Sequence, residues 1–75
     1  MQHHVAITGP FIELYKLLKR ENIAASGGEA KYLISEGLVR VNGQVEFRKR
    51  YKTRPGDTIS FQDWTVTVTS ADLSI

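Results

Sequence analysis

Arg48-Lys49-Arg50-Tyr51-Lys52, with Arg40 upstream and Arg54 just beyond, is the stretch whose residue types and spacing can do chemistry. That chemistry is neutralisation of a phosphate backbone. Residues 40–54 hold Arg40, Arg48, Lys49, Arg50, Lys52 and Arg54 against Glu46 alone, a segment charge of +5. Residues 1–39 balance four cations against Glu13, Glu21, Glu29 and Glu36, and residues 55–75 carry Asp57, Asp63 and Asp72 for −3. The net +2 therefore hides a strongly basic middle, and such asymmetry says more about partners than the total does. A charge run is often just a solvated face, but that reading expects interspersed acids, and between positions 47 and 56 there are none. Strand alternation along the run sets Arg48, Arg50 and Lys52 on one side and Lys49 and Tyr51 on the other. Tyr51 could stack on an exposed base, worth about 1–3 kcal/mol in single-strand binders, although a lone tyrosine is more often half-buried packing.

Other chemistries find less support. His3 and His4 are adjacent, so a strand points them to opposite faces, and no cysteine or third ligand stands near them. No metal or other cofactor is expected. There is no nucleophile elbow, no cysteine, and no histidine beside an orienting acid. Asp57 and Asp63 belong to turns, and Gly27-Gly28 is too short to cradle a nucleotide. At 75 residues the chain has no room for a substrate domain beside a binding domain, so an enzyme is not expected.

The elements that must position the basic run can be read from periodicity. Val5-Ala6-Ile7 reads as an opening strand ended by Thr8-Gly9-Pro10. A helix follows over about residues 13–21, with Leu14, Leu17 and Leu18 on one face and Lys16, Lys19 and Arg20 on the other. Pro10 could instead lie in its first turn, starting it earlier. Asn22 ends it. Ser26-Gly27-Gly28-Glu29 fits a capping box opening a second helix, with Ala30, Leu33 and Ile34 inward and Gly37 as its left-handed stop. About five residues separate the two helices, so they pack as neighbours. From Val39 the period becomes two. Val39 and Val41 lead into Asn42-Gly43, the strongest short hairpin signal, and Val45 and Phe47 return on the partner strand. Pro55-Gly56-Asp57 turns the chain into a strand at 58–61, and Gln62-Asp63 turns it again into Trp64 to Thr69. Residues 70–75 carry no clear signal.

With 41% hydrophobic and 24% charged residues, the chain reads as one globular α+β domain, residues 1–75: two packed short helices followed by a small, mostly antiparallel sheet. The absence of cysteine suits a reducing compartment. No signal-peptide core and no run of about 20 apolar residues is present, so the expectation is a cytoplasmic protein away from membranes, and a monomer.

Leu17-Leu18, Ser26, Ala30, Leu33-Ile34, Gly37, Val39, Val41-Asn42-Gly43 and Gly56-Asp57-Thr58-Ile59 resemble the S-four-type RNA-binding domain, named for the fourth small-subunit ribosomal protein. The recognisable motif spans about residues 13–60. The Ser-Gly-Gly helix start, the Glu46-x-Arg48-Lys49-Arg50 run and the small size resemble its stand-alone YbcJ/YaaA-like branch. The resemblance implies an alpha-L-type RNA-binding motif, made of the two helices and the hairpin after them. It also implies a structured, ribosomal RNA as partner, with ribosomal proteins nearby. Two departures matter: many members have Arg-Leu-Asp where this chain has Glu13-Leu14-Tyr15, and arginine where it has Gly27. Phosphate contacts must then come from Lys31 and from residues 48–52. Lys31 also lies beside a helix N-terminus whose amides favour anions. The site residues expected are Lys31, Arg40, Arg48, Lys49, Arg50 and Lys52, with Ser26, Tyr51 and Arg54 secondary; Ser26 is a cap first. A competing reading is an adaptor docking on ribosomal proteins or another acidic partner. A ubiquitin-like sulfur carrier is disfavoured, because it needs a Gly-Gly end where this sequence has Asp72-Leu73-Ser74-Ile75.

Overall fold

The computed structural model describes residues 2–71. In chain order it contains β1 (Gln2–Ile7), β2 (Ile12–Glu13), α1 (Leu14–Arg20), α2 (Gly27–Ser35), β3 (Arg40–Val41), β4 (Gln44–Val45), β5 (Lys52–Thr53), β6 (Thr58–Phe61) and β7 (Trp64–Ser70). The main sheet has the order β1-β7-β6-β3-β4, and β2 pairs with β5 as a separate antiparallel ribbon. β1 runs parallel to β7, whereas the other pairings are antiparallel. The α+β class and mostly antiparallel sheet agree with the pattern in the sequence.

The two helices cover the sheet through the stripes that periodicity marks. Leu14, Leu17 and Leu18 of α1 and Ala30 and Ile34 of α2 are fully buried, against Val39, Val41, Ile59, Val66, Val68, Val5 and Ile7 of the sheet side. Each such aliphatic side chain contributes about 1.5–3 kcal/mol relative to exposure. Leu33 is only partly buried at the margin of this core.

Local signals fix the helix ends. Ser26 Oγ accepts the Glu29 amide at 3.1 Å. The Glu29 carboxylate reaches back to the Ala25 amide, one residue before the cap, at 2.9 Å. Both helices end in the same way. Asn22 and Gly37 take left-handed φ values of 61° and 75°. The following amides of Ile23 and Leu38 then donate to the carbonyls of Leu18 and Leu33.

Two expectations are corrected. The first helix starts at Leu14, because Ile12 and Glu13 are drawn into β2 and Pro10 stays outside the helix. The return strand of the hairpin stops at Val45, so Arg48 to Tyr51 do not alternate as a strand; the Tyr51 amide donates to the Arg48 carbonyl at 3.0 Å and closes a turn. The opening strand is also longer than Val5–Ile7, reaching back to Gln2, and β7 continues to Ser70. Residues 72–75 of the tail lie outside the described part.

Candidate nucleic-acid interface

The basic turn is held by its own backbone. α1 has no side-chain cap. Its first amides, on Leu14 and Tyr15, donate instead to the carbonyls of Tyr51 and Lys49 at 2.9 and 3.0 Å. The turn therefore caps the helix, satisfying donors that the helix itself cannot pair. With its carbonyls aimed at α1, the segment leaves the Arg48, Lys49, Arg50 and Lys52 side chains exposed. A groove of about 720 Å³ runs along it, lined by Ser35, Phe47, Arg48, Lys49, Arg50, Tyr51, Lys52 and Arg54. Among the described residues, no acidic one lines it.

The cations differ in what already engages them. Arg48 forks onto Glu46, Nε to Oε2 at 2.9 Å and Nη2 to Oε1 at 3.0 Å, while its own amide donates to Oε2 at 2.9 Å. Those hydrogen bonds hold the Glu46 carboxyl below its ordinary range and raise the Arg48 guanidinium above its own. The same guanidinium stands 5.1 Å from the centre of the Tyr51 ring. Arg50 reaches Glu13 at only 4.0 Å, and Glu13 is already paired with Lys16 at 3.0 Å. The hydrogen bond to Glu13 raises the Lys16 ammonium above its ordinary range. Lys52 stands 5.1 Å from the centre of the Phe11 ring. The Arg54 amide takes one oxygen of Asp57, while its side chain faces the groove.

The remaining candidates fall elsewhere. The Lys31 ammonium lies 4.7 Å from the centre of the Tyr15 ring, and the Tyr15 amide is the one bonded to Lys49, so Lys31 borders the turn without lining the groove. Ser26 is occupied as the cap of α2. Arg40 pairs across strands with Val45 and Ser60, next to the buried Val41, which puts it on the outward face of the sheet. Asn42 is a structural residue. Its amide group donates to Asp57 at 3.0 Å and accepts from the Thr58 backbone at 2.9 Å, tying the hairpin to the turn at 54–57. Tyr51 is half-buried against the core. Trp64 stacks on His3 with centroids 4.8 Å apart, at the far end of β7.

Sequence reasoning missed two participants. Glu46 reads as a lone acid in a basic segment, yet it is the partner of Arg48, and the spacing i, i+2 outside a strand was the available signal. Phe47 reads as a residue of the return strand, but the strand ends two residues earlier and the ring is 64% exposed. Its ring folds over Gly37, where a Cβ would stand 3.1 Å from Cε1. Nothing local in the sequence announces that contact.

Residues 5–69 match the S4 domain family. The chain is 49% identical over 59 residues to the protein YbcJ of Escherichia coli (strain K12), covering 79% of this chain and 84% of that one. The YbcJ protein of Shigella flexneri matches equally well, at 49% over 59 residues, with the same 79% and 84% coverage. The solution structure of E. coli YbcJ superimposes with a TM-score of 0.66 at 42% identity, over 92% of this chain and 86% of that one. That structure is described as revealing an αL motif involved in RNA binding.

Proposed function

This chain belongs to the S4 domain family, and from that premise we propose that it is a non-catalytic module that binds structured RNA through backbone phosphates and shape. The observation that carries the reading is the groove beside α1, where five cationic side chains meet and no acidic residue lines the wall. The αL motif described for YbcJ supports it. An RNA duplex hides the major-groove edges of its bases, so a small basic surface reads phosphate spacing and 2′-hydroxyls rather than sequence. Ribosomal RNA, with its hairpins and junctions, is the target this reading favours. Lys31 extends the surface along α2, and Arg40 is a peripheral contact on the sheet.

The test is binding of a fluorescent ribosomal-RNA hairpin at two salt concentrations, with the wild type beside a variant carrying Arg48→Glu, Lys49→Glu, Arg50→Glu and Lys52→Glu. Tight, salt-steep binding lost in the variant is the expected result. Weak binding that ignores the reversal sinks the reading and turns attention to an acidic protein partner. Single Lys49→Ala and Arg50→Ala changes weaken binding to every RNA alike; a loss confined to one sequence contradicts backbone reading.

A further inference from the structure

Phe47 is more exposed than any other large apolar side chain among the described residues, at 64%, and it stands in the wall of the cationic groove. An exposed aromatic standing alone needs no explanation, but this one shares its wall with five cationic side chains. This one is braced from behind. Its ring leans on Gly37, whose missing side chain leaves the space: a Cβ there would meet Cε1 at 3.1 Å and Cζ at 3.3 Å. Tyr51, the other aromatic in the wall, is half-buried and already has the Arg48 guanidinium over its ring. The aromatic surface on offer in the groove is therefore that of Phe47.

We propose that the groove is a site for an unpaired nucleotide, with the base stacked on Phe47 and the adjoining phosphates met by Lys49, Lys52 and Arg54. The inference rests on the RNA-binding reading above and adds what that RNA must contain: a bulged, looped-out or terminal base beside its duplex. Charge complementarity selects this occupant. The wall offers cations and an aromatic with no acid, which suits a phosphate chain carrying a flat apolar base. The groove's volume of about 720 Å³ also lies within the roughly 300–1,000 Å³ of small-ligand sites. A stacked base contributes about 1–3 kcal/mol to single-strand binding, or about 5- to 160-fold in affinity.

Two labelled RNA hairpins serve as probes, identical except that one carries a single unpaired adenosine in its stem. Wild type is expected to prefer the bulged hairpin by at least about five-fold. Phe47→Leu, which keeps apolar bulk over Gly37, lowers affinity for the bulged hairpin more than for the flush one and so removes that preference. Phe47→Trp retains it, and its indole emission is quenched by the bulged probe beyond any change in the wild-type Trp64 signal. Equal binding of both hairpins by wild type, or equal loss on both in Phe47→Leu, overturns the nucleotide site while RNA binding stands. Failure of wild type to bind either hairpin overturns RNA binding itself. Displacement of both probes by poly-glutamate in wild type, with no base preference, assigns the groove to an acidic peptide instead.

Discussion

The cations of the groove should not contribute equally, and a salt titration can separate them. Among the described residues, Lys49, Arg50, Lys52 and Arg54 have at most a long ion pair or an aromatic neighbour, whereas Arg48 is forked onto Glu46 at 2.9 and 3.0 Å. At about 0.7–0.9 of log-log slope per phosphate contact, the first four contribute about −2.8 to −3.6 to the wild-type slope, to which Lys31 and Arg40 add. Between about 50 and 200 mM salt, each contact then accounts for about a three-fold change in affinity. Lys49→Ala should flatten the slope by about 0.8, and Arg48→Ala should leave it nearly unchanged. Glu46→Gln removes the competing charge yet keeps an oxygen for the Arg48 amide. It should steepen the slope by about 0.8 and tighten binding, with a gain about three-fold larger at the lower salt concentration than at the upper. In that background Arg48→Ala acquires the full effect of losing a contact. Fluorescence anisotropy with one ribosomal-RNA hairpin measures every arm, and circular dichroism melts confirm that each variant is folded. If Arg48→Ala flattens the wild-type slope as much as Lys49→Ala does, Glu46 does not sequester Arg48, and the reasoning fails.

Three further predictions concern the scaffold. Thr53 is fully buried, and its Oγ1 has no hydrogen-bond partner among the described residues, so Thr53→Val should stabilise the fold by about 1–2 kcal/mol in urea unfolding; a destabilised variant means the hydroxyl is bonded after all. Gly37→Ala should cost about 1–2 kcal/mol for its φ of 75°, plus the displacement of Phe47, and a thermal melt equal to wild type would contradict both terms. Glu46 is held below its ordinary value of 4.5, chiefly by the Arg48 side-chain hydrogen bonds. Its contribution to stability is thus present above that pH and lost as pH falls through the lowered value. The acid limb of a stability-against-pH curve should be shallower in Glu46→Gln; an identical limb would assign acid sensitivity to other carboxylates.

Helices, caps and turns were legible because their signals are local. Ser26 with Glu29, Asn22 and Gly37 at helix ends, and Asn42-Gly43 each lie within a few residues of what they control. The burial of Leu14, Leu17 and Leu18 follows from the same short-range period. Of the site, Arg48 to Lys52 was legible as charge but not as shape. Alternation extrapolated from Val39 and Val41 carried a strand through Tyr51, but the strand partner runs out at Val45. The chain is then captured by the open amides of Leu14 and Tyr15, over thirty positions earlier. The parallel pairing of β1 with β7 was illegible for the same reason: it joins the two ends of the chain.

That capture also explains why a basic turn, rather than a basic strand, suits this fold. A strand divides its side chains between two faces, one of which the core claims. The turn at 48–51 gives its Lys49 and Tyr51 carbonyls to α1, and it buries only part of Tyr51. Its cations can therefore share one side without any of them being desolvated. The arrangement predicts a dependence in the other direction as well. Because α1 lacks a side-chain cap, Tyr51→Pro leaves the Tyr51 carbonyl in place but deletes the Tyr51 amide that closes the turn on Arg48. It should weaken both helix α1 and RNA affinity, whereas Tyr51→Phe should spare both. Amide hydrogen exchange at Leu14 and Tyr15 reads the first effect, and hairpin binding the second. If exchange there is unaltered while binding is lost, the turn serves the interface alone and its role as helix cap is refuted.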